Sequence, residues 1–561
     1  MPLLTYGSLA ESNSSFFTGP ESILSTKGTN VIALGQDGRI FAYDSGDIAW
    51  VLICATMAWL IVPGFAFVYS GMVRGKNALS LLLLALLSMA VVSLQFWFWG
   101  CKSSLLSNLS HQVLTQQFHE FSIQNIDSLA FSHTATAYIG NFDQVGYTNV
   151  FSEPDIIANN RVSLFFTFFF FESIQPINLA MSSFSQIPTI VFAMIQQMQA
   201  SIVGAVSIGS AAERGRIGPT MIFMFFWATL VYCPISCWIY NPNGWAYKWG
   251  VLDYSGGVSM ELCAGMTGLA YSIFIGRRRG YGIKMHPHNV PHVVLGTTFL
   301  WFGWMGLSGG GTLANVRGAM VMLNTHLAAC AGGVTFLVMD FRLERKWSLV
   351  AFCLGAVCGM VAIAAPGEFS GFIGPSSSIV VGIFAAAVSN LTVAYRHNFP
   401  WDDGLDIFAG HATSGIVGVL LTGIFAQKSI ASSDGFTHID GGMFDRNWKQ
   451  MYKQLAWAGA GGSWSFIVTY IMGFSMIIIN RIPFCSFRVD SESEVKGIDE
   501  DQSGETAYAP DSYMFQRPPT IMESKKLRKF RSGFGRFSSH AGTHSWSPKK
   551  PKSVEKPRKA L

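Results

Sequence analysis

Two stretches of this 561-residue chain set titratable side chains into otherwise apolar surroundings: Asp253-Tyr-Ser-Gly-Gly-Val-Ser-Met-Glu261 and Asp402-Asp-Gly-Leu-Asp-Ile-Phe-Ala-Gly-His411. The candidates are Asp253 and Glu261 in the first and Asp403, Asp406 and His411 in the second; each stretch opens on an acid, crosses small residues and places one ionisable group a helical turn or two further on. An ionisable residue inside an apolar span is costly, so it is read as functional by default. For Asp253 and Asp406 the plainer expectation is an N-cap, a carboxylate accepting from a free backbone N–H at a helix start. A lone His on an apolar helix is more often a hydrogen-bonded core residue. Glu261 resists so plain a reading, because a buried carboxylate without a partner is heavily penalised. If Glu261 and His411 meet, carboxyl and imidazole together can hold and pass one proton, which is acid-base chemistry suited to a small weak acid or its cation.

The elements that carry these residues are membrane spans. Half of the chain is hydrophobic and only 13% is charged, against about 25% charged in water-soluble proteins. That composition excludes a soluble enzyme and a disordered protein. Apolar runs near the 20 residues needed to cross a bilayer occur at 48–70, 78–100, 187–212, 218–240, 255–276, 289–308, 319–339, 347–365, 376–394, 405–426 and 455–480. The expected fold class is therefore an all-α polytopic membrane protein of eleven transmembrane helices. One sequence stretch enters its span from each side, as a five-plus-five inverted repeat requires, with the site at the repeat interface. The short run 163–171 is too brief to cross and is read as part of a packed loop between 101 and 186.

Basic residues set the orientation. Arg74, Lys76, Arg214, Arg216, Arg277–Arg279, Lys284, Arg342, Arg345, Lys346 and Arg396 all fall on one set of short connections, which makes the topology N-out and C-in. The chain divides into an outer tail (1–47), a membrane domain (48–482) and a cytosolic tail (483–561). Sequons at Asn13 and Asn108 then face outward, and the one at Asn390 reads as a chance match at a span end. The nine cysteines are odd in number and mostly sit inside apolar runs, so neither a disulfide framework nor a metal site is expected. Twelve Lys and Arg lie between Lys525 and Lys559. On a C-in protein they lie against anionic lipid rather than nucleic acid, or form a solvated tail.

Several motifs are similar to the ammonium transporter family, Amt/Mep/Rh: Pro63-Gly-Phe-Ala-Phe-Val-Tyr-Ser-Gly-Met-Val-Arg-Gly-Lys-Asn77, Ala212-Glu-Arg214, Asn241-Pro-Asn-Gly-Trp245, Asp253-Tyr-Ser-Gly-Gly257 and Asp402 to His411. They stand in family order across about 48–508. The resemblance implies ammonium or ammonia as substrate, methylammonium as a further candidate, no cofactor, a plasma-membrane location and a homotrimer. It puts Glu261 and His411 at the two positions where the family has paired histidines in a narrow apolar pore, with Glu at the first as in one subgroup of fungal Mep permeases. It makes Trp304 a pore-wall residue. Gly497-Ile-Asp and Gly504-Glu-Thr-Ala-Tyr508 resemble the family's regulatory tail.

The departures are as specific. Gln199 and Leu307 stand where the family stacks two Phe rings as a gate. Its outer cation site of Trp, Ser and Phe is matched here by Tyr240 (or Trp238), Gly311 and Ile195, which weakens cation–π recruitment. Cys101 and Lys102 replace a usual Tyr and Ser, and Asp253 keeps its acidic position behind the mouth. Two rivals follow. One is an ammonium sensor or poorly conducting paralogue of the same fold, signalling through 483–561. The other is an intramembrane protease using Ser308 of Gly306-Leu-Ser-Gly309 with His326 or His411 as base. The four-residue pattern recurs easily in a glycine-rich chain, so the reading is not an enzyme.

Overall fold

A computed structural model describes residues 4–5, 30–34, 40–98, 137–139, 187–241, 243–253, 255–281, 286–364, 371–434, 437–479 and 486–508. Asn13, Asn108, Cys101, Lys102, the run 163–171 and the basic segment 525–559 lie outside the described residues. Three short antiparallel strands come first: β1 (Leu4–Thr5), β2 (Asn30–Leu34) and β3 (Ile40–Asp44), in the order β1-β2-β3. The first 47 residues were expected only as a polar tail, and this small sheet is an addition to that reading. Asp44 ends β3 and caps the helix that follows, accepting from the Asp47 N–H at 3.0 Å.

From Ser45 onward the described body is helical, and each of the eleven apolar runs meets a helix. These are α1 (Ser45–Met72), α2 (Gly75–Phe98), α3 (Ile190–Ala211), α4 (217–240), α5 (Gly257–Ile275), α6 (Val290–Gly310), α7 (Val316–Glu344), α8 (Leu349–Ala364), α9 (Pro375–Tyr395), α10 (Phe408–Phe425) and α11 (Lys449–Ile479). Among the described residues, nine helices are long and apolar enough to cross a membrane. Side chains on α2, α6, α7 and α9 keep about half or more of their residues off the protein core, as apolar helices facing lipid do.

Successive helices run in opposite directions, so the body has a near face, where α1 begins, and a tail face, where residues 486–503 pack. α5 begins on the near face and α10 on the tail face. Small residues let the halves approach, since a Cβ on Gly64 of α1 would lie 2.9 Å from the Leu300 backbone nitrogen of α6. Such contacts replace the hydrophobic drive that lipid removes between helices.

Candidate functional site

Glu261 and His411 meet although 150 residues separate them: His411 Nδ1 lies 2.7 Å from Glu261 Oε2, and both side chains are buried. Each sits in a single π turn that opens its helix, Gly257–Leu262 in α5 and Phe408–Ala412 in α10. A π turn takes one extra residue and re-aims the side chains next to it, which is why it recurs at functional sites.

An acid eight positions earlier supports each turn (253 to 261, 403 to 411). Asp253 accepts from the N–H groups of Gly257 at 2.6 Å and Val258 at 2.9 Å and from Trp457 Nε1 at 2.7 Å. Asp403 accepts from the Phe408 N–H at 2.7 Å. The expectation that Asp406 caps α10 is therefore corrected. Asp406 turns into the helix with a left-handed backbone (φ 55°), which swings its carboxylate outward onto Arg396, while Asp403, three residues back, loops over the free N–H groups. Burial, followed by the charge of Asp406, pushes the Asp403 carboxyl up to about 6.

Two glycines, each four positions past the paired residues, allow the contact. A Cβ on Gly265 would strike the backbone nitrogen of Ala412, and one on Gly415 would lie 2.7 Å from the Gly257 carbonyl oxygen. The α5 and α10 backbones thus touch one turn from the pair.

On the near-face side, Gln199 Nε2 donates to Tyr240 Oη at 2.9 Å, and Tyr240 Oη shares a hydrogen bond with Ser259 Oγ at 2.8 Å. Trp238, the alternative to Tyr240, instead joins a cluster with Trp245, Trp457 and Trp464. Ile195 packs against Gly310, Leu307 is buried in the same core, and Gly311 is buried at the α6 C-terminus. Around the pair, Phe65 stands with its ring centroid 5.5 Å from that of His411 and 6.2 Å from that of Trp304. On the tail-face side an apolar cavity continues from His411 past Phe65, Tyr69, Val357, Cys358 and Ile407 to Asp406. Phe65 and Ser259 were not singled out in the sequence as site residues, and Asp403, a titratable candidate there, was not given the supporting role. Phe65 belongs to the Pro63–Asn77 motif, and Ser259 and Asp403 stand within the two stretches that were singled out, so position was the available signal.

The tail face is tied by charge. Glu213 accepts from Arg74 Nε at 2.8 Å and Arg278 Nη1 at 3.2 Å. Burial alone would raise its carboxyl, but the two guanidinium groups outweigh that and hold it below the usual range. Arg278 also reaches Asp402 at 3.2 Å, and fully buried Arg214 donates to the Asp402 carbonyl at 2.6 Å, next to the supporting Asp403. The tail joins the same loops. The Val489 N–H donates to the Arg214 carbonyl at 3.0 Å, and Asp499 accepts from Leu79 at 3.0 Å and Ser80 at 2.8 Å at the start of α2.

Ser308 Oγ is buried with no hydrogen-bond partner among the described residues, and the contacts of His326 are with Trp301 and Cys330. Among the described residues, no hydrogen bond joins Ser308 to His326 or His411, the bases of the protease reading.

Fold and site together define a polytopic helical membrane protein whose two halves donate one titratable group each to a buried contact at the head of an apolar cavity. The sequence matches the Ammonium Transporter Family over residues 49–140 and 134–508, and the chain belongs to that family. It is similar to Ammonium transporter 2 of Schizosaccharomyces pombe, 38% identical over 497 residues that cover 87% of this chain and 86% of that protein. It is 37% identical over 478 residues to Ammonium transporter MEP3 of Saccharomyces cerevisiae, covering 84% and 86%. Among solved structures, Saccharomyces cerevisiae Mep2 superposes with a TM-score of 0.66 at 35% identity, over 80% of this chain and 88% of that one.

Proposed function

We propose that this chain is a plasma-membrane ammonium transporter that works as a homotrimer. Ammonium reaches a vestibule at the near face beside Tyr240, Asp253 and Gly311 and loses its proton. It then passes the gate positions Gln199 and Leu307 and moves along a wall formed by Ile195 and Trp304. The observation that carries this reading is the buried Glu261–His411 contact of 2.7 Å. A bare cation in hydrocarbon is penalised far more than neutral ammonia, so one polar pair suffices to guide ammonia and relay the proton separately. The same contact accommodates the proton on either partner: an Nδ1–H donating to the carboxylate, or a carboxyl O–H donating to Nδ1. The apolar cavity beyond His411 suits the neutral molecule.

In this reading all eleven helices cross the membrane with the near face outside and the tail face in the cytosol. Residues 1–47, 48–482 and 483–561 are then the outer tail, the transport domain and a regulatory tail. A second reading, an ammonium sensor, is favoured by Gln199, hydrogen-bonded to Tyr240 at a gate position where a Phe ring is usual. Expression in a yeast strain without its own ammonium permeases separates the two. Transport gives growth on low ammonium that His411→Ala abolishes with surface delivery unchanged. Correct surface delivery without growth supports the sensor.

A further inference from the structure

Three buried polar side chains from three helices form a hydrogen-bonded bar on the near-face side of the Glu261–His411 pair. Gln199 of α3 is 1% exposed, Tyr240 at the end of α4 is 6% exposed, and Ser259 in the π turn of α5 is fully buried. Gln199 Nε2 donates to Tyr240 Oη, and Tyr240 and Ser259 share the next hydrogen bond, at 2.9 and 2.8 Å. The Ser259 N–H is directed at Asp253 Oδ2 at 3.4 Å, and Glu261 follows two residues later. The bar is thus anchored between the acid that supports α5 and the first member of the titratable pair.

We propose that this bar is a specificity-determining latch, with Ser259 as its previously unassigned member. The proposal deepens the transport reading and rests on it for the identity of the ion. The latch is neutral and closed by hydrogen bonds, so it opens at low cost only for a species that replaces those bonds. Ammonium carries four N–H donors and no lone pair. Before it gives up its proton in the vestibule, it takes over the donor role of Gln199 toward Tyr240 Oη and donates to Ser259 Oγ and to the Gln199 amide oxygen. Methylammonium has one donor fewer, and its methyl group meets buried polar atoms that it leaves without a partner. A lost hydrogen bond from a charged donor corresponds to about tenfold in affinity.

The test is thermal unfolding of the purified full-length protein in detergent, titrated with ammonium chloride or methylammonium chloride and with sodium chloride for ionic strength. Wild type is expected to bind ammonium about tenfold more tightly than methylammonium. Ser259→Ala and Tyr240→Phe are each expected to bring the two affinities within about twofold by weakening ammonium, while Ser259→Thr, which keeps the hydroxyl, retains the preference. Wild type stabilised no more by ammonium than by methylammonium overturns the latch, as does a preference unchanged in Ser259→Ala. A merely structural role for Ser259 lowers the melting temperature without changing the ratio of affinities, and also overturns it. Because binding is read without conduction, a protein that fails the yeast uptake test can still pass this one, and the reverse holds.

Discussion

Asp403 shows how a single side chain sets the behaviour of its neighbour. Its carboxylate holds the first turn of α10, eight residues before His411, and burial, with the charge of Asp406, pushes it up to about 6 from an ordinary 3.8. The raised value means that the folded protein favours the neutral acid. The stabilisation linked to Asp403 is fully present below about pH 4 and is lost as pH rises through about 6. The melting temperature of the wild type should therefore fall between about pH 4 and 6.5 relative to Asp403→Asn, whose amide oxygen still accepts from the Phe408 N–H; parallel profiles would remove Asp403 as the titrating group. Glu261→Gln should abolish uptake in the same yeast assay with surface delivery intact, because the amide keeps the shape but cannot take up a proton. Uptake by Glu261→Gln equal to wild type would eliminate the relay. Both Asp253 and Glu261 were legible in the sequence from their place at the head of an apolar run. That Asp403 rather than Asp406 makes the cap was not, because the answer depends on a left-handed residue at 406 that local propensity does not favour.

At the scale of elements, the pair depends on how closely α5 and α10 cross. Gly265 and Gly415 each press on the opposite backbone, and both lie one turn beyond the titratable residue of their own helix. Gly265→Val should push the helices apart, lower the melting temperature and suppress uptake. Gly410→Ala on α10 is the matched control, since a Cβ there meets open space. Equal losses from the two substitutions would show that close approach at Gly265 is not what matters. The runs of about 20 apolar residues made the helices themselves readable in advance, including α8 and α11. The spacing Glu261-x-x-x-Gly265 and His411-x-x-x-Gly415 was also present in the sequence, but its meaning appears only once the two helices face each other.

For the whole molecule, the loops of the tail face and residues 486–503 form one charged and hydrogen-bonded layer that reaches Asp402, the residue before the α10 support. Asp499 is one of its links to α2, and Asp499→Ala should speed amide hydrogen exchange over 490–503 while leaving the membrane helices as slow as before. Unchanged exchange there would shift the attachment to Lys76 and its contacts with the Glu494 and Val495 carbonyls. A glycan on Asn13 in cells would support the N-out orientation, and a reporter there confined to the cytosol would reverse it. The sequence by itself determined the membrane class, the helical spans and the sites of titratable groups, because the free energy of moving each side chain from water to hydrocarbon is a local property summed along the chain. Only the tertiary structure decided that Glu261 touches His411, that Gln199, Tyr240 and Ser259 close one bar, and which aspartate caps α10. Those facts depend on distances between segments far apart in sequence, set by where small residues let helices approach and where buried polar groups must find partners.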